Sequence, residues 1–246
     1  MKKNILIIFI ILSVITFAYL NYSYSSIYNK IGEVLLSTPS DFKNYTMGTS
    51  TKTLTYVALG DSLTVGVGVD SYMESYPYIF TEKISQKNNI KINLIPLAQS
   101  GVRSMYVLNT LIEPVIKVNP DIITLFIGVN DVHGNISVKE FKNNYEDILQ
   151  RLTKETNAKI YVINLPYIGT KNLIKFPYDY YFNMQTQKFN KSIEELAQKY
   201  NTEYVDLYSG FLKHDKDEAY YSLDLFHPNK KGYALWAEIL YANFSK

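Results

Sequence analysis

Four short blocks carry the residues of this chain that can do chemistry: Gly60-Asp61-Ser62-Leu63, Ser100-Gly101, Gly128-Val129-Asn130-Asp131 and Asp224-Leu225-Phe226-His227. A serine hydroxyl is a weak nucleophile until a neighbouring base takes its proton. Ser62 offers the hydroxyl and His227 the base. Asp224 stands three residues before His227. On one tight turn that spacing sets a carboxylate against the imidazole N–H and fixes its tautomer and orientation. Attack on an ester carbonyl creates an oxyanion, which needs donors already aimed at it. The backbone N–H groups of Ser62 and Gly101 and the side-chain amide of Asn130 are candidates for three such donors. Together the residues imply acyl transfer through Ser62, and hence hydrolysis of esters.

Each block also has a plainer reading, since short motifs recur by chance. Gly60-Asp61-Ser62 is also the composition of an ordinary turn, and Asn130-Asp131 and Asp224 are residue types that cap helices. Asp131 reads as a structural carboxylate bonding nearby turn N–H groups. Of the two other histidines, His133 lies near Asn130 and is the rival base, whereas His214 falls in a charged loop and reads as a solvated surface residue. Gly66-Val67-Gly68 looks like part of a nucleotide-binding loop but lacks the third glycine and the partner acid, so no dinucleotide cofactor is expected. No H-E-x-x-H or comparable spacing is present, so no metal is expected either.

Composition narrows the classes further. The formal charge of +2 leaves no basic stripe for nucleic acid. The absence of cysteine excludes disulfides, thiolate catalysis and a lipobox cysteine. The 23 tyrosines combine an apolar ring with a polar tip and suit half-wet grooves as well as core edges.

The elements that must position these blocks alternate along the chain. Leu54–Leu59 is an apolar run ending at a glycine turn, and Ile90–Leu97, Asp121–Ile127, Lys159–Leu165 and Thr202–Leu207 read as further strands. Between them, helices are expected over 77–86, 104–118 with a cap at Ser104, 138–155 and 183–200, and a closing helix over 230–244. Strands without strict alternation that are separated by helices predict a parallel sheet covered on both faces. In such sheets the site forms beyond the carboxyl ends of the strands, where all four blocks fall. Residues 166–182, with Tyr167, Phe176, Tyr178, Tyr180 and Tyr181, show no period and read as an aromatic loop, packed on itself or walling a substrate site.

Ahead of this domain, Lys2 and Lys3 precede the uncharged run Ile5–Leu20, 16 residues long. Such a run is long for a signal-peptide core and short for a membrane span of about 20 residues, which the interfacial aromatics Tyr19, Tyr22 and Tyr24 can extend. Residues 1–25 are therefore expected to be a signal peptide or, preferentially, an uncleaved membrane anchor. Residues 26–53 are expected to be a stalk with a short amphipathic helix possible over 27–36, and 54–246 the catalytic domain. The lysines stay inside, so the body is expected to be extracytoplasmic, tethered or secreted.

The four blocks resemble those of the SGNH, or GDSL, hydrolases, a family of lipases, lysophospholipases and carbohydrate O-acetylesterases. Ala58-Leu59-Gly60-Asp61-Ser62-Leu63-Thr64 is similar to the first block, Ser100-Gly101 to the second, Gly128-Val129-Asn130-Asp131 to the third and Asp224-Leu225-Phe226-His227-Pro228 to the last. The resemblance covers about residues 56–244. It implies a three-layer α/β/α sandwich with a flavodoxin-like central parallel sheet, and a Ser62–His227–Asp224 triad. It also implies an oxyanion hole of Ser62, Gly101 and Asn130. The second block departs from the asparagine common in the family, with Pro96, Ala98 and Gln99 near that point, and Arg103 replaces a small polar residue, where it either meets an anionic group or lies at the surface. The expected partner is a small-molecule, lipid or glycan ester, with a lipid favoured. A surface-polysaccharide O-acetylesterase and a binding module without turnover are the alternatives.

Overall fold

Ile122–Phe126 is buried at every position, which requires cover on both faces of its strand. In the computed structural model, which describes residues 2–33, 38–167, 169–214 and 217–244, that strand lies inside a six-stranded sheet. The strands are β1 (Tyr45–Met47), β2 (Thr53–Gly60), β3 (Lys91–Ala98), β4 (Ile122–Phe126), β5 (Lys159–Ile163) and β6 (Glu203–Val205), in the order β1-β3-β2-β4-β5-β6. All pairs are parallel except β1 with β3, which is antiparallel with Tyr45 opposite Leu94. The parallel part therefore has the flavodoxin-like order 2-1-3-4-5, and its topological switch point lies between β2 and β4.

The helices are α1 (Lys2–Glu33), α2 (Ser62–Val65), α3 (Tyr76–Asn88), α4 (Ser104–Tyr106), α5 (Ile112–Val118), α6 (Val129–His133), α7 (Val138–Glu155), α8 (Tyr178–Lys199), α9 (Leu207–Phe211) and α10 (Lys230–Phe244). One face of the sheet is covered by α3 and α10, where Phe80 packs edge-on to Tyr56 and Phe126 to Trp236. The other face is covered by α5, α7 and α8, with Phe141 and Phe189 in ring contact at 4.4 Å. Helix α7 illustrates how the sequence dictates this. Ser137 accepts from the Glu140 N–H to cap the first turn, and Phe141, Tyr145, Ile148, Leu149 and Leu152 form one buried stripe.

Three expectations need correction. The segment expected as one helix over 104–118 is α4, a π-turn over Val107–Leu111 and α5. Pro114, which cannot donate to the carbonyl four residues back, follows the π-turn. Ser104 is not its cap; its hydroxyl bonds Asp131 instead. Second, the aromatic loop ends at Pro177, and Tyr178–Phe182 are the first turns of α8. Third, the expected stalk is built into the body. Helix α1 runs on through residue 33, and Asp41 accepts from Ser71 Oγ and Tyr72 N at 2.6 and 2.7 Å. Tyr45 of β1 stacks on Tyr72. The 34–36 end of the expected amphipathic helix lies outside the described residues.

Helix α1 is long and apolar enough to cross a membrane, and none of its most apolar stretch is buried against the body. Its later turns differ. Leu20 and Ile31 are half-buried, Ser23 and Ile27 buried, a one-face spacing docked on the body.

Candidate active site

Short segments after β2 and β4 meet at the switch point. Gly60 ends β2, and Asp61 caps α2 by accepting from Leu63 N at 3.0 Å. Ser62 is the first residue of α2, so its N–H is among the donors that a helix leaves without an internal partner. Thr64 and Tyr76 share a buried 2.9 Å hydrogen bond beneath this turn.

The Asp224–His227 segment crosses above from the start of α10. Ser62 Oγ lies 3.0 Å from His227 Nε2, and His227 Nδ1 lies 2.6 Å from Asp224 Oδ2. The other carboxylate oxygen, Oδ1, accepts from Ser222 Oγ and from the N–H groups of Phe226 and His227. Asp224 is fully buried, Ser62 and His227 nearly so. Burial alone raises the Asp224 carboxyl, but the hydrogen bonds and charge of His227, with Ser222 and Phe226, outweigh it and hold the group below the ordinary carboxylate range. Leu225 takes a left-handed φ of 60° in this turn, a strained state for a branched side chain.

Gly101 stands at the mouth of the same cavity with φ 77°. No atom would meet a side chain added there, so conformation and not space requires glycine. Asn130 is the first-turn residue of α6, and its amide donates to Val102 O at 2.9 Å and to Asp61 Oδ2 at 3.3 Å. The amide is thus fixed in place. Burial pushes the Asp61 carboxyl up to about 7, against the pull of the Leu63 N–H. Ser62, Gly101, Asn130 and His227 line one cavity of about 280 Å³, walled on another side by Tyr28 and Ile31 of α1.

The remaining candidates fall outside the Ser62–His227–Asp224 line. Asp131 accepts from Ser104 N and Oγ at 2.9 and 2.5 Å, a structural role. His133 is stacked on Phe182 at 4.6 Å with Phe226 edge-on. Burial, reinforced by the nearby His227, lowers its pKa to about 4, so it is an uncharged wall at neutral pH. His214 is half-buried against Tyr220, not solvated as expected. The Arg103 guanidinium lies across Gly134, away from the lining of the Ser62 cavity.

Two contributors have no signature in the sequence. Gly68 has φ 106°, and a side chain there would collide with the Pro228 carbonyl oxygen and lie 3.1 Å from His227 Cβ. The Gly66–Gly68 pair that looks like part of a nucleotide-binding loop is instead the floor of the histidine turn, held by Tyr233 OH donating to Val67 O at 2.8 Å. The second contributor is α1, whose Tyr28 and Ile31 reach the cavity from a segment expected to be only an anchor and a stalk.

Comparison with known proteins fits this geometry. The model of the GDSL-like lipase/acylhydrolase family matches residues 58–235. The chain is 27% identical over 212 residues to the spore germination lipase LipC of Bacillus licheniformis, covering 77% of this chain and 96% of that protein. Among solved structures, the lipase Lip_vut3 from a goat rumen metagenome superposes with a TM-score of 0.65 at 25% identity, covering 77% of this chain and 97% of its own. Axe2, an acetylxylan esterase from Geobacillus stearothermophilus, shares the fold with a TM-score of 0.65 at 18% identity, covering 80% of this chain and 95% of its own.

Proposed function

The chain belongs to the GDSL-like lipase/acylhydrolase family and is a carboxylic ester hydrolase, and on that premise we propose that it works through an acyl-enzyme on Ser62 with a lipid as the ester. The observation that carries the reading is the unbroken hydrogen-bond line from Asp224 Oδ2 through His227 to Ser62 Oγ, at 2.6 and 3.0 Å.

Ser62 Oγ attacks the ester carbonyl carbon while His227 Nε2 takes the hydroxyl proton, and Asp224 holds the imidazolium that forms. The carbonyl oxygen becomes an oxyanion held by the N–H groups of Ser62 and Gly101 and by the Asn130 amide. Collapse breaks the bond to the alcohol, which leaves with the proton from His227. Water, deprotonated by the same nitrogen, then attacks the acyl-serine; collapse breaks the bond to Ser62 Oγ, which takes the proton back from His227, and the acid leaves.

The lipid assignment draws on the aromatic surroundings of the cavity, on the apolar α1 and on the relatives known as lipases. We assign α1 as an uncleaved anchor with the catalytic body outside the membrane, because Ser23 and Ile27, on either side of the residue-25 boundary expected for a signal peptide, are buried against that body.

The test is turnover of p-nitrophenyl esters by the full chain in detergent, with Ser62→Ala beside it. The variant should lose about 10⁴-fold or more in kcat while its Tm is retained. A folded Ser62→Ala protein with wild-type turnover would remove Ser62 as nucleophile.

A further inference from the structure

Helix α1 has 32 residues and is therefore about 48 Å long, whereas the hydrocarbon core of a bilayer is about 30 Å thick. Its last dozen residues accordingly stand clear of the lipid, and most of the docking contacts come from them. Tyr24 meets Tyr178 with ring centroids 5.4 Å apart, Tyr28 packs edge-on to His133, and the Tyr28 hydroxyl donates to His133 O at 3.3 Å. Nearer the membrane, Tyr19 OH donates to Phe176 O at 2.9 Å. Beside this contact Phe176 and Tyr180 project into solvent, as aromatics at a bilayer interface do.

Between α1 and the body runs a second cavity, of about 480 Å³. Phe17, Leu20 and Tyr24 form its wall on α1, and His133, Tyr178 and Phe182 line the body side. The size falls within the range of small-molecule sites, and the lining is largely apolar. His133 also lines the cavity that holds Ser62, so one ring separates the two. That ring has no hydrogen bond to its buried Nε2 among the described residues and is sandwiched by aromatics, so it presents an apolar face. At the other end Phe17 and Leu20 belong to the apolar membrane run. Through the shared His133, residues of the apolar run and the nucleophile line neighbouring cavities.

We infer that this cavity is the acyl-chain site for a long-chain membrane lipid ester, with the anchor helix itself as one wall. The ester carbonyl sits at Ser62, and the chain passes His133 and lies between α1 and the first turns of α8. Family membership does not supply this site, because the matched residues 58–235 exclude α1. The inference rests on the proposed Ser62 esterase, narrows its lipid to a long-chain ester and adds three specificity-determining residues, Phe17, Leu20 and Tyr24.

The experiment measures kcat/KM of the full chain in detergent micelles for p-nitrophenyl acetate and dodecanoate. Wild type should prefer dodecanoate. Leu20→Trp, which fills the cavity, should lower the dodecanoate-to-acetate ratio about tenfold, a change on the scale of losing apolar contact in a pocket. Tyr24→Ala, which adds no bulk and cannot wedge the helix off the body, should lower the ratio by several-fold. Leu12→Trp, on the lipid-facing run, should leave the ratio at its wild-type value. Ratios that stay at wild type in both cavity variants overturn the inference while the esterase stands. So does a wild type whose Ser62-dependent turnover is confined to acetate. Loss of all Ser62-dependent turnover in a folded wild type overturns the esterase reading and the inference with it.

Discussion

At the scale of single residues, two titratable groups near the nucleophile, buried Asp61 and half-buried His133, pull stability in opposite directions. Asp61 keeps its proton in the fold to about pH 7 and gives it up near 3.8 when unfolded. The folded state therefore binds more protons across that range, and the Asp61 contribution falls as pH rises from about 4 to about 7. His133 has the reverse sign. Its folded pKa of about 4 lies below its ordinary 6.5, so the unfolded chain takes up the proton first and stability is lost as pH falls from about 6.5 to about 4. In the wild type the two slopes oppose each other, and only variants separate them. The Tm advantage of Asp61→Asn over wild type should grow as pH is raised from 4 to 7. That of His133→Phe, which keeps a ring against Phe182, should grow as pH is lowered across the same interval. Thermal melts at half-unit steps check both, and Tm curves parallel to wild type would contradict the assigned ionisations.

At the scale of elements, the site is made by two turns pressed together, the α2 turn with its Val67-Gly68 exit and the Asp224–His227 turn. Because Gly68 lies against the Pro228 carbonyl and the His227 Cβ, Gly68→Ala must push the histidine turn away from Ser62. A misplacement of about 1 Å costs on the order of 10²-fold in rate. Gly68→Ala should therefore lose roughly 10- to 100-fold in kcat with a cooperative melt retained; wild-type kcat would show that the turn yields elsewhere. This contact was illegible in the sequence, where Gly68 is only one member of a glycine pair, because its neighbours are 160 residues away. The Ser62, Gly101, Asn130 and Asp224–His227 blocks were legible because each chemistry needs particular residue types at strand ends. The strand–helix alternation was legible because apolar runs and amphipathic periods of adequate length mark it. Strand β1 has three residues, too few to display a period of two. The first turns of α8 hid in a run of tyrosines that bury and expose alike. The docking stripe Leu20, Ser23, Ile27 and Ile31 starts inside a run that is apolar all round, where no face stands out from the others.

At the scale of the whole molecule, the proposed anchor helix divides into an exposed apolar first half and a second half packed on the body. Ile5–Phe17 is exposed throughout, as the proposed membrane segment requires, and the α1 wall of the second cavity begins at Phe17. Anchoring and substrate selection are thereby assigned to different stretches of the same helix. Anchoring depends on apolarity and length, for which any run of suitable residues serves. Selection depends on particular side chains against a particular cavity. Replacing residues 4–16 with an unrelated polyleucine run of equal length should keep the chain in the membrane fraction after alkaline extraction. It should also preserve the dodecanoate-to-acetate ratio within about twofold, because no residue of either cavity is touched. A ratio that collapses on this exchange would mean that the native membrane sequence, and not the wall formed by Phe17, Leu20 and Tyr24, presents the acyl chain to Ser62.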